Sequence, residues 1–426
     1  ASSGKPGPVL IDIPKDIQTQ NGPAGYQDHV DIRGYKPNET VHIGQLKKAY
    51  KILKSAKQPL LLAGGGVNIS GAQELLTTFA EKMHIPVVTT VMGKGAIPTD
   101  HPLYVGNSGM HGRYAANMAV SECDVLFSVG TRFNDRITGD LNEFAPKAKI
   151  VHLDIDASSI SRNVVVDVPV VSDAKIALER LVEWAEAKNT DKWLAKIGMW
   201  QEENPLEMRR DHGLSPQMIM EAINDTFPQG IVVTDVGQHQ MWATQYITMP
   251  RGKQMITSGG LGTMGFGFPA AVGAKIGAPD KDVVCITGDG GMQMNMQEMA
   301  TAICEKVPLT ICILNNNYLG MVRQMQQLFY GKRYEITCLR RQIGCPDGCK
   351  GPNEACPPYV PDFVKWAESY GAHGQRVTSL EEAKAALAEA KERTDAPTVI
   401  EFMIATEEIV LPMVKSGNPM SEMILK

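Results

Sequence analysis

The 426-residue sequence has no apolar run long enough to span a membrane, which takes about 20 residues. Its first residues also lack the apolar core of a signal peptide. It also contains no basic block. The 42 basic and 47 acidic residues leave a formal net charge of −5, which disfavours nucleic acid and anionic membranes as partners. These absences indicate a cytoplasmic protein that binds small anionic ligands through local features of its sites.

Cysteine is too sparse for a small module held together by disulfides, because only 8 cysteines are spread over the chain. Four of them lie scattered in apolar segments, where we expect buried, reduced side chains: Cys123, Cys285, Cys304 and Cys312. Hydrophobic residues make up 43% and charged residues 21%, which is ordinary for a globular protein. The chain is therefore expected to fold around large hydrophobic cores.

Segments rich in β-branched residues alternate with helical patterns along most of the chain. Such alternation indicates parallel sheets built from βαβ units. Strands are predicted at 9–13, 60–63, 87–90, 125–129, 150–153, 231–236, 283–287, 309–314 and 398–403. Helices are predicted at 72–83, 173–186, 215–227, 266–276, 296–305, 361–370 and 380–393.

Linkers interrupt this alternation twice, which favours two domains over a single barrel. The predicted fold is α/β, with two doubly wound parallel-sheet domains joined by a helical linker. The expected segments are 1–40, a single strand and a linker; 41–188, the first domain; 189–212, the helical linker; 213–405, the second domain; and 406–426, a C-terminal tail.

The most specific motif is Gly288-Asp289-Gly290, followed after 24 residues by Asn315-Asn316. Both parts directly follow predicted strands, and ligands of parallel α/β sheets collect at the carboxyl ends of the strands. A carboxylate and an amide oxygen suit Mg²⁺, which also binds substrate phosphates, and glycines let backbone N–H groups approach a diphosphate. The alternative is two ordinary turns, but spacing and strand context together favour a magnesium and diphosphate site.

A second glycine motif, Gly260-Leu261-Gly262-Thr263-Met264-Gly265, matches the G-x-G-x-x-G fingerprint of dinucleotide sites. The match is weak, because the acidic residues at a suitable distance, Asp280 and Asp282, precede the next strand and do not follow it. We expect this loop to help enclose the ligand of the site at Asp289.

Taken in order, these motifs identify a resemblance. Several motifs of the second half resemble the thiamin-diphosphate-binding domain of acetohydroxyacid synthase (acetolactate synthase) catalytic subunits. They are residues 237–242, 258–265, the pair formed by 288–290 and 315–316, and 319–322. In the first half, residues 64–66, 109–112, 130–136 and 152–156 are similar to the central, FAD-carrying domain of that family. The resemblance covers nearly the whole chain.

The resemblance implies three cofactors and the residues that bind them. Asp289, Asn316 and the main-chain carbonyl of Tyr318 would bind Mg²⁺, and Met264 would hold thiamin diphosphate in its bent, reactive form. The implied thiamin diphosphate positions are Val236, Gly237, Gln238, His239, Gly262, Met264, Gly288, Asp289, Gly290, Gly291, Asn316, Tyr318, Gly320 and Met321. The implied FAD positions are Gly64, Gly65, Gly66, Thr90, Met110, His111, Gly130, Arg132, Asp135, Asp154, Ile155 and Asp173.

The implied reaction joins pyruvate to a second 2-oxoacid, giving 2-acetolactate from pyruvate or 2-aceto-2-hydroxybutyrate from 2-oxobutyrate, in branched-chain amino acid biosynthesis. Arg136 would pair with the carboxylate of the second substrate, a task that suits a planar guanidinium. The family also implies a homodimer or tetramer and a regulatory small subunit. The alternatives are a flavin-free catabolic acetolactate synthase, which the motifs of the FAD-carrying domain disfavour, a pyruvate oxidase, and an assembly fragment without catalysis.

The sequence departs from that family in three respects. It starts at Ala1 and shows no match to the N-terminal pyrimidine-binding domain, so residues 1–40 are expected to be the remnant of that domain. We therefore expect little acetolactate formation by these 426 residues alone, which a steady-state assay tests. Met325 replaces a Trp that many members carry, which is expected to weaken the preference for 2-oxobutyrate in a competition assay.

The third departure is a Gly- and Pro-rich insertion over residues 338–358, whose cysteines follow the pattern C-x6-C-x3-C-x6-C. These are Cys338, Cys345, Cys349 and Cys356. Four thiolates can bind zinc or an iron–sulfur cluster, although the spacing matches no standard pattern. A redox-labile disulfide and inert thiols are the other two interpretations, and metal analysis of anaerobically purified protein distinguishes them.

Overall fold

The computed structural model describes residues 1–25, 27–37, 39–208, 213–346, 349 and 356–426. The end of the predicted linker (209–212) and parts of the insertion (347–348 and 350–355) lie outside these ranges. Within them, two six-stranded sheets, all of whose strand pairs are parallel, are flanked by helices, which confirms the predicted α/β class with two doubly wound sheets. Among the described residues, no helix is both long and apolar enough to span a bilayer.

The predicted strand at 9–13 is wrong. This segment has no regular structure, and among the residues described before residue 43 the only element is the short helix α1 (Lys15–Thr19). Val9, Leu10 and Ile11 are exposed, Leu10 to 94%. A β-branched run forms a strand only where a neighbour supplies ladder hydrogen bonds, and no described strand pairs with this one.

The first sheet has the strand order β3-β2-β1-β4-β5-β6, the order typical of dinucleotide-binding domains. Its strands are β1 (Pro59–Ala63), β2 (Val87–Thr89), β3 (Tyr104–Asn107), β4 (Val125–Val129), β5 (Lys149–Asp154) and β6 (Val168–Val171). Its helices are α2 (Ile43–Ser55), α3 (Gly65–Ile69), α4 (Gln73–Met83), α5 (Tyr114–Glu122), α6 (Asp135–Thr138), α7 (Ala174–Trp184) and α8 (Asp191–Glu203).

Helix α8 lies in the predicted linker but packs into the core of the first domain. Trp193 and Ile197 are buried there, and the Trp193 indole N–H donates to the Pro59 carbonyl oxygen at 3.0 Å. Trp200 stacks edge-on against Trp193. The aromatic residues of this segment therefore anchor the chain before it enters the second domain.

The second sheet has the order β11-β12-β10-β9-β7-β8. Its strands are β7 (Ile231–Thr234), β8 (Met255–Thr257), β9 (Val283–Gly288), β10 (Thr310–Asn315), β11 (His373–Val377) and β12 (Thr398–Met403). Its helices are α9 (Pro216–Thr226), α10 (Gln238–Tyr246), α11 (Gly267–Gly277), α12 (Asp289–Met292), α13 (Met299–Cys304), α14 (Gly320–Phe329), α15 (Phe363–Ser369) and α16 (Leu380–Glu392).

Both sheets are buried on both faces, which explains why their strands are nearly continuous apolar runs. Along β9, Val284 and Ile286 enter one core cluster, whereas Val283 and Cys285 enter the cluster on the opposite face. Three of the four scattered cysteines are buried as predicted. The prediction is wrong for Cys304, which is exposed because α13 ends at this residue.

The C-terminal segment connects the two domains. It contains the short antiparallel pair β13 (Met413–Val414) and β14 (Met423–Ile424). The Val414 N–H donates to the Met110 carbonyl oxygen at 2.8 Å, and the Asp140 N–H donates to the Asn418 carbonyl oxygen at 3.1 Å. On the other side, the Gln324 amide contacts both backbone groups of Val410. The segment thus fixes a loop of the first domain against helix α14.

Candidate cofactor-binding site

An open pocket of about 520 Å³ lies at the carboxyl ends of β7, β9 and β10. It includes the place where the strand order of the second sheet reverses, between β7 and β9, which is the usual ligand position in such sheets. Most of the predicted thiamin diphosphate positions line it: Val236, Gly237, Gln238, His239, Met264, Gly288, Asp289, Gly290, Gly291, Asn316, Tyr318, Gly320 and Met321. The structure therefore brings together residues that lie far apart in the sequence.

Asp289 is an acidic residue that lines this pocket, and it is only 2% exposed. Its Oδ1 accepts the Gly290 N–H at 3.0 Å, whereas Oδ2 has no hydrogen-bond partner among the described residues. Burial raises the pKa of Asp289 to about 8. A buried carboxylate oxygen without a partner is costly, and a bound cation is one of the few groups that offset such a cost.

Asn316 enters the same pocket from the end of β10. Gly288 pairs with Leu314 across the two strands, so Asp289 and Asn316 follow at the same sheet edge. The Asn316 side-chain oxygen accepts the Tyr318 N–H at 3.0 Å, and its amide nitrogen donates to Gln238 at 3.1 Å. The three predicted magnesium ligands thus line one pocket: Asp289 follows β9, and Asn316 and Tyr318 follow β10.

A chain of side-chain amides holds this arrangement. Gln238 accepts from Asn316 and donates to the Gln324 side-chain oxygen at 2.9 Å. Gly320 is required beside it, because a Cβ at this position would lie 2.0 Å from Gln238 Oε1. Gln324 was not predicted from the sequence; its helical position gave no signal, since a lone Gln on an amphipathic helix is ordinarily solvated.

His239 lies beside Asp289 with its ring between two glycine backbones. A Cβ on Gly237 would lie 2.9 Å from the ring, and a Cβ on Gly288 would lie 3.0 Å from it. Burial lowers the pKa of His239 to about 4, so the imidazole is neutral at pH 7. Its Nε2 has no hydrogen-bond partner in the described part of the chain. A neutral imidazole in this position suits hydrogen bonding to a ligand.

The glycine loop that follows β8 is fixed by Asp235. This buried carboxylate accepts the N–H groups of Val236 and Gly265 through Oδ1 and that of Gly267 through Oδ2. The loop places Met264, which is 36% exposed, at the wall of the pocket, and Gly262 lies next to Val236. Asp235 was missed in the sequence, although an Asp at the carboxyl end of a strand was a usable signal.

The predicted FAD positions follow the strands of the first sheet, so they share its carboxyl edge. The glycines after β1 and β4 pack backbone against backbone: a Cβ on Gly64 would lie 2.1 Å from the Gly130 carbonyl oxygen, and a Cβ on Gly66 2.7 Å from the Gly130 Cα. The remaining positions lie after β2 (Thr90), β3 (Met110 and His111), β4 (Arg132 and Asp135), β5 (Ile155) and β6 (Asp173), while Asp154 ends β5 and Gly65 starts α3.

Several of these polar side chains already hydrogen-bond within the first domain. The Thr90 hydroxyl accepts the Gly93 N–H, and Asp154 accepts the Asp156 N–H. Asp173 caps α7 by accepting the Lys175 N–H at 2.8 Å. Backbone N–H groups of the glycines are engaged as well, since Gly64 donates to the Val129 carbonyl oxygen, Gly66 to that of Gly130 and Gly130 to that of Leu153. The strand order is therefore the feature of this edge that fits an extended dinucleotide.

This edge faces the glycine loop of the second domain. A Cβ on Gly259 would lie 2.5 Å from the Met92 sulfur, and a Cβ on Gly260 would lie 3.6 Å from the Arg132 guanidinium. The same loop carries Met264 into the pocket of Asp289. The two predicted cofactor regions are therefore neighbours on either side of one loop.

Comparisons with known proteins agree with this geometry. Residues 46–181 match the model of the thiamine pyrophosphate enzyme central domain, and residues 235–402 match that of the C-terminal TPP binding domain. The chain is 43% identical to a probable acetolactate synthase large subunit of Methanocaldococcus jannaschii, with 100% of the chain aligned to 71% of that protein. This chain belongs to the acetolactate synthase large-subunit family.

Two further members of the family support this assignment. Identity is 42% to the acetolactate synthase large subunit of Corynebacterium glutamicum and 40% to that of Haemophilus influenzae. The alignments include 99% and 100% of this chain and 66% and 73% of those two proteins. The resemblance identified from the sequence is confirmed, and the relatives favour an acetolactate synthase over a pyruvate oxidase.

The two predicted substrate-recognition residues lie in different places. Arg136 is exposed on α6, with Nη1 3.4 Å from the Met110 sulfur and its carbonyl oxygen accepting the Met110 N–H. Burial lowers the pKa of neighbouring His111 to about 4. Arg136, Met110 and His111 are thus brought together. Met325 is half-buried on α14, one turn beyond Met321 and outside the residues that line the pocket.

The four cysteines of the insertion line a second pocket of about 450 Å³. Tyr318 lines this pocket as well as that of Asp289, so the two pockets share a wall. Among the described residues, no three His, Cys, Asp or Glu side chains are placed to hold a metal ion together. This arrangement gives no support to the metal interpretation of the insertion.

Proposed function

We propose that this chain binds thiamin diphosphate through Mg²⁺ in the pocket of Asp289 and supplies this site to an acetolactate synthase that acts on pyruvate; that these 426 residues alone form little acetolactate stays a prediction. The observation that carries the proposal is the buried, unpartnered Oδ2 of Asp289 in an open pocket at the strand switch point. Family membership supports thiamin diphosphate as the cofactor. Magnesium is supported by the oxygen donors, since Mg²⁺ binds through a few protein oxygens together with phosphate.

The residues of the pocket have separate tasks in this proposal. Asp289, the Asn316 side chain and the Tyr318 carbonyl oxygen would hold Mg²⁺. The neutral His239 would hydrogen-bond the diphosphate, which needs no further positive charge once the metal is present. Gln238 would position Asn316 beside it, because its amide nitrogen donates to Gln324 and to the Glu408 carbonyl oxygen and its oxygen accepts from Asn316. Met264 would support one apolar face of the cofactor. When bound, thiamin diphosphate supplies the electron sink for the loss of CO₂ from one 2-oxoacid and its joining to another.

The acceptor would be pyruvate or 2-oxobutyrate, and Arg136 is proposed to bind its carboxylate. The Arg136 Nη1 lies 3.4 Å from the Met110 sulfur, and the charge of Arg136 contributes to the lowered pKa of His111. The Arg136 guanidinium therefore lies beside two of the proposed FAD positions. FAD is proposed along the carboxyl edge of the first sheet, on the basis of its strand order. A yellow colour of the purified chain, with flavin released on denaturation, is the expected result.

Two titrations of the purified chain with thiamin diphosphate, one in the presence of Mg²⁺ and one in the presence of EDTA, test the metal-dependent site. Quenching of Trp242, which lines the pocket, reports binding. We expect binding with Mg²⁺ and its loss in EDTA. Asp289→Asn should abolish the Mg²⁺ dependence, whereas Asp280→Asn, an exposed acid outside the pocket, should bind like the unmodified chain. Equal affinity with Mg²⁺ and with EDTA, or binding unaffected by Asp289→Asn, would refute the proposal.

Assembly is the remaining part of the proposed function. The relatives are named large subunits, and on that basis we propose a homodimer or tetramer that accepts a regulatory small subunit. Light scattering of the purified chain measures the oligomer, and a monomer at micromolar concentration would count against this part.

A further inference from the structure

The cysteine insertion is attached directly to the loop that follows β10. Cys338 forms an isolated antiparallel bridge with Tyr318. The Leu319 N–H donates to the Thr337 carbonyl oxygen at 2.9 Å, and the Leu339 N–H donates to the Asn317 carbonyl oxygen at 2.9 Å. Two backbone hydrogen bonds therefore flank Cys338 and join it to the segment between Asn316 and Gly320.

A second contact runs from the insertion to the turn of Asp289. A Cβ on Gly290 would lie 2.8 Å from a Leu319 methyl group and 3.4 Å from a Leu339 methyl group. The side chain that follows Cys338 thus packs against the glycine that follows Asp289. A displacement of Cys338 is transmitted to both predicted sources of magnesium ligands, the Asp289 turn and the Tyr318 loop.

The first two cysteines of the insertion line one pocket together with Cys349 and Cys356. Cys338 and Cys345 are free thiols of intermediate exposure, and both line the pocket of about 450 Å³. A turn at Cys345, whose N–H donates to the Gln342 carbonyl oxygen at 3.1 Å, directs the chain back toward this pocket. Both thiols are half-exposed, so small reagents reach them, unlike buried Cys285 and Cys312.

We propose that Cys338 and Cys345 are a reversible thiol–disulfide site that responds to low-molecular-weight disulfides and weakens cofactor binding when oxidised. One thiolate attacks the small disulfide, whose S–S bond breaks and releases one thiol. The second thiolate then attacks the mixed disulfide, releasing the other thiol as the Cys338–Cys345 bond forms. The protein loses two electrons and two protons, and the reagent gains them as two thiols. The effect on cofactor binding rests on the proposed function, whereas the disulfide itself does not.

Oxidised glutathione is the probe for the disulfide. The reduced chain is treated with it, alkylated and digested with trypsin, which places Cys338 in peptide 334–340 and Cys345 in peptide 342–350. We expect these two peptides to be linked through Cys338 and Cys345 in the unmodified chain and in Cys304→Ser, a control at an exposed cysteine of α13. The link should be absent from Cys338→Ser and from Cys345→Ser, and a dithiol reductant should reverse it.

Thiamin diphosphate titration in Mg²⁺ measures the coupling. We expect oxidation to weaken binding by about 2- to 30-fold, the range of measured couplings between neighbouring sites, in the unmodified chain and in Cys304→Ser. Cys338→Ser and Cys345→Ser should not respond to the oxidant. Comparison of the oxidised and reduced unmodified chain keeps the test valid if a variant fails to fold.

Three outcomes would overturn the proposal. The first is a protein that gives only mixed disulfides, or a disulfide that involves other cysteines. The second is equal cofactor affinity of the oxidised and reduced forms. The third is stoichiometric zinc or iron that protects both thiols from alkylation. If the disulfide forms but neither form binds thiamin diphosphate, the proposed function and the coupling fail, while the thiol pair stands.

Discussion

Replacing Asp289 by Asn should stabilise the cofactor-free chain while removing its ability to bind magnesium. Burial raises the pKa of Asp289 from 3.8 to about 8, so the folded chain holds a proton at pH 7 that the unfolded chain releases. The cost of burying this carboxyl at pH 7 is about 4 kcal/mol, from about 1.36 kcal/mol for each pH unit above the unfolded pKa. A buried Asn amide without partners costs about 1–3 kcal/mol in return. The net expected gain for Asp289→Asn is therefore about 1–3 kcal/mol.

The sign of the pH dependence follows from the same shift. Because the folded pKa is raised, the contribution of Asp289 to stability is fully present below pH 3.8 and is lost as pH rises toward about 8. The melting temperature of the unmodified chain in EDTA should thus fall relative to Asp289→Asn between pH 5 and pH 8 and run parallel to it above that. With Mg²⁺ and thiamin diphosphate, only the unmodified chain should gain stability. A variant that melts below the unmodified chain in EDTA at every pH would refute this reasoning.

Three other substitutions test separate parts of the structure. Gly320→Ala places a methyl group 2.0 Å from Gln238 Oε1. Titration should show thiamin diphosphate binding that is weaker at least about tenfold, and thermal melting should show a stability that is lower by about 1–3 kcal/mol. Burial lowers the pKa of Lys253 to about 8, so the unfolded chain binds more protons than the folded chain between pH 8 and 10.5. The variant Lys253→Met should therefore be more stable than the unmodified chain by about 1–2 kcal/mol at pH 7, after allowance for solvent screening. This difference in stability should shrink as pH rises to 10. Trp193→Phe removes the hydrogen bond to Pro59 and should cost about 1–3 kcal/mol; an unchanged melting temperature would show that α8 does not anchor the first domain.

The sequence predicted the sheets well because their strands are buried on both faces. Runs such as those at β9 and β10 are apolar throughout, and a Gly-Asp-Gly or Asn-Asn turn marks where each one ends. The strands β3, β6, β8 and β11 were not predicted; they are the edge strands of the two sheets, and Gly106 in β3, Pro169 in β6 and polar residues in β11 interrupt their apolar pattern. The strand at 9–13 failed for the opposite reason, because a strong local pattern has no pairing partner in the described chain.

The candidate site was predictable where chemistry requires a particular residue type. Asp289 and Asn316 follow from strand ends and the oxygen preference of magnesium. Asp235 offered a signal of the same kind, an Asp at a strand end, which the prediction did not use. Gln324 offered none, because its importance comes from contacts with residues 86 positions away. Such contacts exist only once the sheets have assembled, and residue type alone does not indicate them.

The C-terminal segment that connects Met110 with Gln324 has a consequence for biosynthesis. Its contacts come from residues 410 to 418, which follow both sheets along the chain. A nascent polypeptide can therefore close each sheet on its own but cannot complete the amide chain beside Asn316 until this segment has left the ribosome. If the proposed function holds, cofactor loading should be a late event, and fusion of a bulky partner close after the segment should delay it more than a fusion at the opposite end.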